Sequence, residues 1–318
     1  MDNARISIVI PVYNRAGIVQ RTLASVASQT ARPLDIILVD NNSTDGTVEV
    51  LGRWKNTVQD DAFRVTVLSE KKPGAAAARN RGLEAVTTEW VMFFDSDDTM
   101  APLHISRALL VIDDNPRADI IGWDVMRHDL KGNSSRNKFS ATRCQWHSLF
   151  NGSMATLRWC ARTALVRRAG GWNPDIRFWD DIELGARMLA LNPMAVHAGK
   201  EITVFVHESA ECISCTSNAP TLSLMEPALQ SIARTLPPGK KNWCELKRVI
   251  QAAISAAEDP RAARDVLNSV LGRTSSPAWR MIWHAAYTYT RLGGRGAARI
   301  LRPLMSIVAV LSPDSTGM

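Results

Sequence analysis

A chain of 318 residues, 46% hydrophobic and 22% charged, has the composition of a globular protein with a substantial core. That balance excludes a low-complexity or disordered chain, and no apolar run reaches the ~18–20 residues that a transmembrane helix needs. The net charge of +7 is unevenly placed. Residues 218–318 hold 13 Lys+Arg and 6 Asp+Glu, which leaves 25 of each sign, out of 38 and 31, for residues 1–217. A basic C-terminal third fits an acidic partner such as a membrane surface or a phosphorylated lipid, or else a solvated Arg-rich helical face. Five cysteines (Cys144, Cys160, Cys212, Cys215 and Cys244) and an N-terminus without a signal-peptide pattern point to a reducing cytoplasm. The lone C-x-x-C of Cys212 and Cys215 has no second pair or nearby His and reads as structural.

Along the chain, strand and helix signals alternate. Residues 6–12 form a continuous apolar run, as in a strand buried on both faces, and residues 18–27 carry apolar positions at helical spacing. A second run, 34–39, closes on Asp40-Asn41-Asn42-Ser43, where Ser43 or Thr44 can cap a helix through Val48 and Leu51. A third strand is expected at 63–68, an Ala-rich helix at 74–85 and a fourth strand at 90–94. This order predicts a mainly parallel α/β sheet with right-handed crossovers. Residues 130–145 are turn-rich, a loop or a hairpin. From residue 218 the pattern is helical, at 222–235, 243–258, 262–271, 278–292 and 295–311, punctuated by Pro-rich turns.

Ligands in such sheets bind outside the carboxyl ends of the strands. Here those ends are polar: Tyr13-Asn14-Arg15, Asp40-Asn41-Asn42 and Asp95-Ser96-Asp97-Asp98. Adjacent carboxylates repel, and a divalent cation relieves that cost; oxygen ligands suit Mg²⁺ or Mn²⁺, which also hold substrate phosphates. The alternative is an acidic turn that caps the next helix. Arg79 and Arg81 can reach a pyrophosphate, or form a helix-surface pair. Asp180, Asp181 and Glu183 follow Gly170-Gly171-Trp172. Two residues apart on a helix, Asp181 and Glu183 do not share a face, so one is expected to point to a site and the other elsewhere. A carboxylate there can act as general base on an acceptor hydroxyl. The other reading is an acid-rich first turn that suits the helix dipole. His207, after a strand-like run, is a candidate metal or phosphate ligand or a structural His.

In order, IVIPVYNR (8–15), VDNNSTDGT (39–47), GAAAARNRG (74–82), FFDSDD (93–98), GGW (170–172) and DDIELGAR (180–187) resemble family 2 of the glycosyltransferases, over about residues 5–215. The resemblance implies a GT-A-like, Rossmann-type mixed sheet flanked by helices. Residues 1–217 would be the catalytic domain, with a nucleotide part at about 1–125 and an acceptor part at about 126–217; residues 218–318 would be a helical extension. It implies an inverting transfer from a nucleotide-diphosphate sugar, UDP-linked by preference, to a carbohydrate or lipid-linked hydroxyl in polysaccharide or glycolipid synthesis, with no nucleic acid partner. Pro11, Val12, Tyr13 and Asn14 would line the nucleotide, with Tyr13 stacked on the base. Asp40 and Asn41 would contact base or ribose, Arg79 the diphosphate, and Asp95 and Ser96 the ribose side. Asp97 and Asp98 would hold Mn²⁺ or Mg²⁺, with His207, read from its place after a strand, as the further candidate ligand. Asp181 would be the catalytic base, with Trp179 and Asp180 beside the acceptor. Asn41 stands where many UDP-sugar enzymes carry a second aspartate, and Glu183 where the family usually has Asp.

Two rivals remain. A nucleotidyltransferase would favour a Gly-rich phosphate loop with a Lys near the first strand, where Pro11-Val12-Tyr13-Asn14 stands. A non-catalytic binding protein would need only the nucleotide clusters. The C-terminal arginines beside apolar and aromatic residues fit peripheral contact with the inner face of a membrane, or a cap on the catalytic domain or on a dimer partner. The oligomeric state stays open.

Overall fold

The computed structural model describes residues 3–208 and 222–311. The chain divides into two compact units, Met1–Cys212 and Ile213–Met318. Cys212 and Cys215 lie outside the described residues; Cys144, Cys160 and Cys244 are buried free thiols.

The first unit runs β1 (Ile6–Val12), α1 (Val19–Ala27), β2 (Leu34–Asp40), α2 (Thr47–Val58), β3 (Phe63–Ser69), α3 (Ala75–Ala85), β4 (Trp90–Phe93), β5 (Thr99–Met100), α4 (His104–Asp114), β6 (Ile120–Gly122), β7 (Val125–His128), β8 (Ser134–Asn137), α5 (Cys144–Asn151), β9 (Trp159–Arg162), α6 (Thr163–Arg168), α7 (Asp180–Ala190), β10 (Ala195–His197) and β11 (Val204–His207). Seven strands form one sheet in the order β10-β6-β9-β4-β1-β2-β3, and β5-β11-β7-β8 form a smaller one. β1 pairs in parallel with both β2 and β4. Flanked on both sides and covered on both faces, β1 and β2 are buried almost throughout, which is why they read as unbroken apolar runs. Only β9 runs antiparallel, against β4 and β6, so the sheet is mixed and mainly parallel.

Register places the polar clusters together. Val12 lies opposite Asp40, so the turns that leave β1 and β2 emerge side by side. Val9 lies opposite Phe93, and the Phe94 N–H donates to the Val9 carbonyl at 2.9 Å, which brings the start of the acidic turn to the same edge. α3 packs closely on this edge: a Cβ at Gly82 would sit 2.3 Å from Val9 Cγ1 and 3.3 Å from Val39 Cγ2. Arg79, one turn earlier on the same helix face, is thereby held over the strand ends.

Local details differ from expectation. Neither Ser43 nor Thr44 caps α2; its N-cap is Gly46, at φ +85°, and Asp45 Oδ1 accepts the Thr47 N–H at 3.1 Å. Asp98 does not cap a helix, since Thr99–Met100 joins the small sheet and α4 starts only at His104. Within 130–145 the hairpin reading holds for β8, which pairs with β7, and Cys144 already opens α5.

The second unit contains α8 (Leu222–Thr235), α9 (Asn242–Ser255), α10 (Pro260–Arg273), α11 (Pro277–Arg291) and α12 (Ala297–Leu311). Pro260 and Pro277 stand at helix starts, where no N–H is needed. Trp279 and Trp283 stack 5.2 Å apart in its core. No helix among the described residues is long and apolar enough to cross a membrane.

Candidate active site

The turns after β1 and β2 are stitched together by side chains. Asn14, in the left-handed region at φ 49°, donates its N–H to Ser43 Oγ at 2.9 Å and accepts the Thr44 N–H at 2.8 Å. The Arg15 N–H reaches Thr47 Oγ1 at 2.9 Å, and the Ala16 N–H reaches Asp45 Oδ2 at 3.0 Å. Above this scaffold Tyr13 is 58% exposed, an open aromatic face at the end of a buried strand, where Pro11 is half-buried and Val12 buried. Asp40 is buried; its Oδ2 accepts the Ser43 N–H at 3.3 Å, and its Oδ1 is buried without a donor. Asn41 does something different. Its amide donates to the carbonyls of Glu70 and Lys72, both at 2.8 Å, and its Oδ1 accepts the Gly74 N–H at 2.7 Å. Both amide hydrogens and the carbonyl oxygen are engaged by the loop between β3 and α3, so Asn41 builds that loop.

Asp95, Ser96, Asp97 and Asp98 follow β4. Asp97 lies 3.8 Å from Arg15 Nη2, and its backbone carbonyl accepts from Arg21. The Asp98 carbonyl accepts from Thr22 Oγ1 at 2.8 Å, and Asp98 Oδ1 accepts the His207 N–H at 2.7 Å. Burial, then the charge of Asp95, pushes the Asp97 carboxyl above its usual range; for Asp98 burial, Asp95 and Asp97 push it well above. His207 Nε2 meets Thr99 Oγ1 at 3.0 Å, and its ring stacks 5.5 Å from His128. Burial, with Arg21 and His128 nearby, lowers its pKa below the ordinary imidazole value. Ser96 is buried beside these groups.

Arg79 joins this cluster to the second one. It is 7% exposed. Nη2 bonds Asp95 Oδ1 at 2.8 Å and Nη1 bonds Asp180 Oδ2 at 2.9 Å, across 16 and 101 residues of sequence. Its guanidinium lies 4.3 Å from the Trp172 ring centroid. Burial opposes its charge, but Asp95 and Asp180 outweigh it and its pKa is raised. Arg81 points elsewhere, to exposed Glu84. Trp172 is held from α3: Asn80 accepts the Trp172 N–H at 2.8 Å and donates to its carbonyl at 2.7 Å.

Asp180 and Asp181 open α7. The residue before them, Trp179, takes φ 61°, a conformation costly for a bulky side chain, and its ring stacks on Phe178 at 5.7 Å. Asp181 Oδ2 accepts the Thr156 N–H at 3.3 Å and Oδ1 accepts the Ile182 N–H at 2.7 Å. Burial, then Asp180, pushes the Asp181 carboxyl up to about 7; burial outweighs Arg79 and raises Asp180 as well. Glu183 is buried away from this pair, with both oxygens on Arg187 at 2.8 and 2.6 Å. Position 183 thus braces the helix. Sequence reasoning gave no role to Trp172, Thr156, Asn80 or Arg21. Trp172 alone carried a signal, in the Gly-Gly-Trp turn; the others become partners only through the fold.

Residues 7–163 match the family described as glycosyl transferase family 2. The succinoglycan biosynthesis protein ExoW of Rhizobium meliloti is 34% identical over 108 residues, 33% of this chain and 33% of that protein. The chain spans between about a quarter and two thirds of the length of other curated relatives, at 37%, 27% and 64%. TarS residues 1–349 of S. aureus, solved with UDP-GlcNAc, superpose with a TM-score of 0.65 at 15% identity, over 94% of this chain and 92% of that one. The mannosyltransferase PcManGT of Pyrobaculum calidifontis, solved with GDP-Man and Mn²⁺, gives 0.56 at 17% identity, over 98% and 88%. These likenesses carry the GT-A-like fold. With the motifs in order and the family match over 7–163, this part of the chain is a family 2 glycosyltransferase domain.

Proposed function

We propose that the chain transfers a sugar, with inversion, from a nucleotide-diphosphate donor to a hydroxyl acceptor, with Asp181 as the base. The observation that carries this reading is the Arg79 bridge, which brings two carboxylate clusters 2.8 and 2.9 Å from one guanidinium. One cluster suits a donor, the other an acceptor.

On the donor side, Tyr13 offers a stacking face to the base, above Pro11, Val12 and Asn14. The donorless Asp40 Oδ1 fits a ring N–H, such as that of uracil, or a ribose hydroxyl. Asn41 supports this wall by shaping the 70–74 loop, and Asp95 and Ser96 face the ribose side. UDP is the favoured carrier, in keeping with the donor bound to TarS. The carboxylates of Asp97 and Asp98 are held above their usual range by burial and mutual charge, the condition a hard cation relieves. Among the described residues no group of three or more His, Cys, Asp or Glu is poised around one point. The proposed cation is Mg²⁺ or Mn²⁺, held by one or two of these carboxylates together with substrate phosphates. His207, through its N–H bond to Asp98, sets the carboxylate, and with Nε2 engaged by Thr99 Oγ1 it braces that carboxylate rather than completing a three-residue metal set. When bound, the cation neutralises charge on the departing diphosphate.

On the acceptor side, Trp179 and Asp180 flank the base. Asp181 takes the acceptor proton while the acceptor oxygen bonds the anomeric carbon. The bond from that carbon to the phosphate oxygen breaks, and its electron pair leaves with the diphosphate. Arg79 keeps Asp180 neutralised, so that the proton goes to Asp181. Polysaccharide assembly is the favoured setting, in keeping with ExoW. Catalysis by residues 1–217, cytoplasmic placement, and contact of the helical extension 218–318 with the inner face of a membrane belong to the same reading. Incubation with UDP-, GDP- and dTDP-sugars and Mn²⁺ tests it, by release of nucleoside diphosphate. Release from one donor class is expected; none from any would reject the reading.

A further inference from the structure

α12 is apolar on two faces. One face, with Ala297, Ala298, Met305 and Val308, is buried. The other carries Ile300, Leu304, Ile307 and Leu311, spaced i, i+4, i+7 and i+11 along one side of the helix, with Val310 at its edge. These five side chains are between 46% and 80% exposed, and Leu292, just before the helix, is 83% exposed. A soluble surface does not normally present such a stripe.

The charge beside the stripe selects what covers it. Residues 266–313 contain Arg273, Arg280, Arg291, Arg295, Arg299 and Arg302 and no acidic residue. Arg273 bonds Glu245, and Arg280 bonds the carbonyls of Leu271 and Thr274. Arg291 at the end of α11, Arg295 in the turn that follows and Arg299 in the first turn of α12 are all exposed. Symmetric pairing of two copies through this helix would bring the same arginines together with no acid to meet them. An anionic bilayer surface complements both features: headgroups for the arginines and the acyl boundary for the stripe. At 15 residues the helix is ~22 Å long, too short to cross a hydrocarbon core of ~30 Å but long enough to lie in the interface.

We propose that α12 is an interfacial helix that docks this chain on anionic lipid, with Ile300, Leu304, Ile307 and Leu311 inserted and Arg291, Arg295 and Arg299 at the headgroups. This rests on the reading that the C-terminal unit meets a membrane, and narrows it to one helix face. The test is sedimentation of the full chain with phosphatidylcholine vesicles, with and without phosphatidylglycerol. The wild type is expected on the anionic vesicles at low salt and released at high salt. Ile300→Ser/Leu304→Ser/Ile307→Ser should weaken partitioning by more than about tenfold. Arg295→Glu/Arg299→Glu should do so by at least about fivefold per arginine. All five positions are exposed, and unchanged melting temperatures would show that the variants fold. Absence of the wild type from anionic vesicles, or unchanged partitioning of the triple variant, would overturn the proposal. So would a wild-type dimer that the triple variant makes monomeric without change in sedimentation. Nucleoside diphosphate release in vesicle-free solution reads the transfer reaction separately, so failure of one does not imply failure of the other.

Discussion

Two acidic clusters meet at Arg79, and they differ in what holds them. Asp97 and Asp98 repel each other at a strand end; Arg15 Nη2 lies 3.8 Å from the first, and a backbone N–H from His207 bonds the second. Asp180 and Asp181 are also close, but Arg79 binds the first and backbone N–H groups bind the second. On the proposed reading, the same residue type would receive an external cation in one cluster and a proton in the other. Environment, not identity, divides the labour.

The largest expected effect is on the proton-taking side. Asp181→Asn should lower transfer by about 10²–10⁴-fold and leave binding of the nucleoside diphosphate unchanged, as read by rate assay and calorimetry. The pH profile separates the clusters next. With its carboxyl raised to about 7, Asp181 is increasingly protonated below that pH and cannot act as a base. kcat/KM should therefore fall roughly tenfold per pH unit below about 7, and Asp181→Asn should flatten the profile.

Asp98 probes the other cluster through stability. Its folded pKa lies well above the ordinary carboxylate value, so the folded state favours the protonated form. Ionisation then weakens the cation-free fold as pH rises from the ordinary carboxylate range towards the folded pKa. Asp98→Asn should melt higher than wild type at neutral pH, and the gap should close as pH falls; added Mn²⁺ should stabilise the wild type alone. The smallest effect expected here lies in the shared support. Gly82→Ala forces a Cβ against Val9 and should cost ~1–3 kcal/mol in denaturant unfolding.

The nucleotide side of the fold was legible because each buried strand is a continuous apolar run ending in a polar cluster. β1 begins and ends where that pattern does. The site was less legible wherever a side chain's partner comes from distant sequence. Asp98 looks like a helix cap until His207, 109 residues away, supplies its N–H. Arg79 looks like a helix-surface residue until the Gly82 contact brings α3 down on β1 and Trp172 closes over the guanidinium. Asn41 carries the polarity of a ligand, yet three backbone groups occupy its amide. The spacing of Asp181 and Glu183 did separate their uses, because helical geometry is local: Glu183 pairs one turn on with Arg187.

The division between the clusters is tested most directly by titrating UDP into wild type, Asp97→Asn and Asp181→Asn, each with and without Mn²⁺. Mn²⁺ should raise affinity by at least about tenfold in wild type and Asp181→Asn, a gain of ~1.4 kcal/mol, and leave Asp97→Asn unchanged. Affinity that ignores Mn²⁺ in wild type, or that loses its Mn²⁺ dependence in Asp181→Asn, would contradict the assignment of the cation to one cluster and the proton to the other.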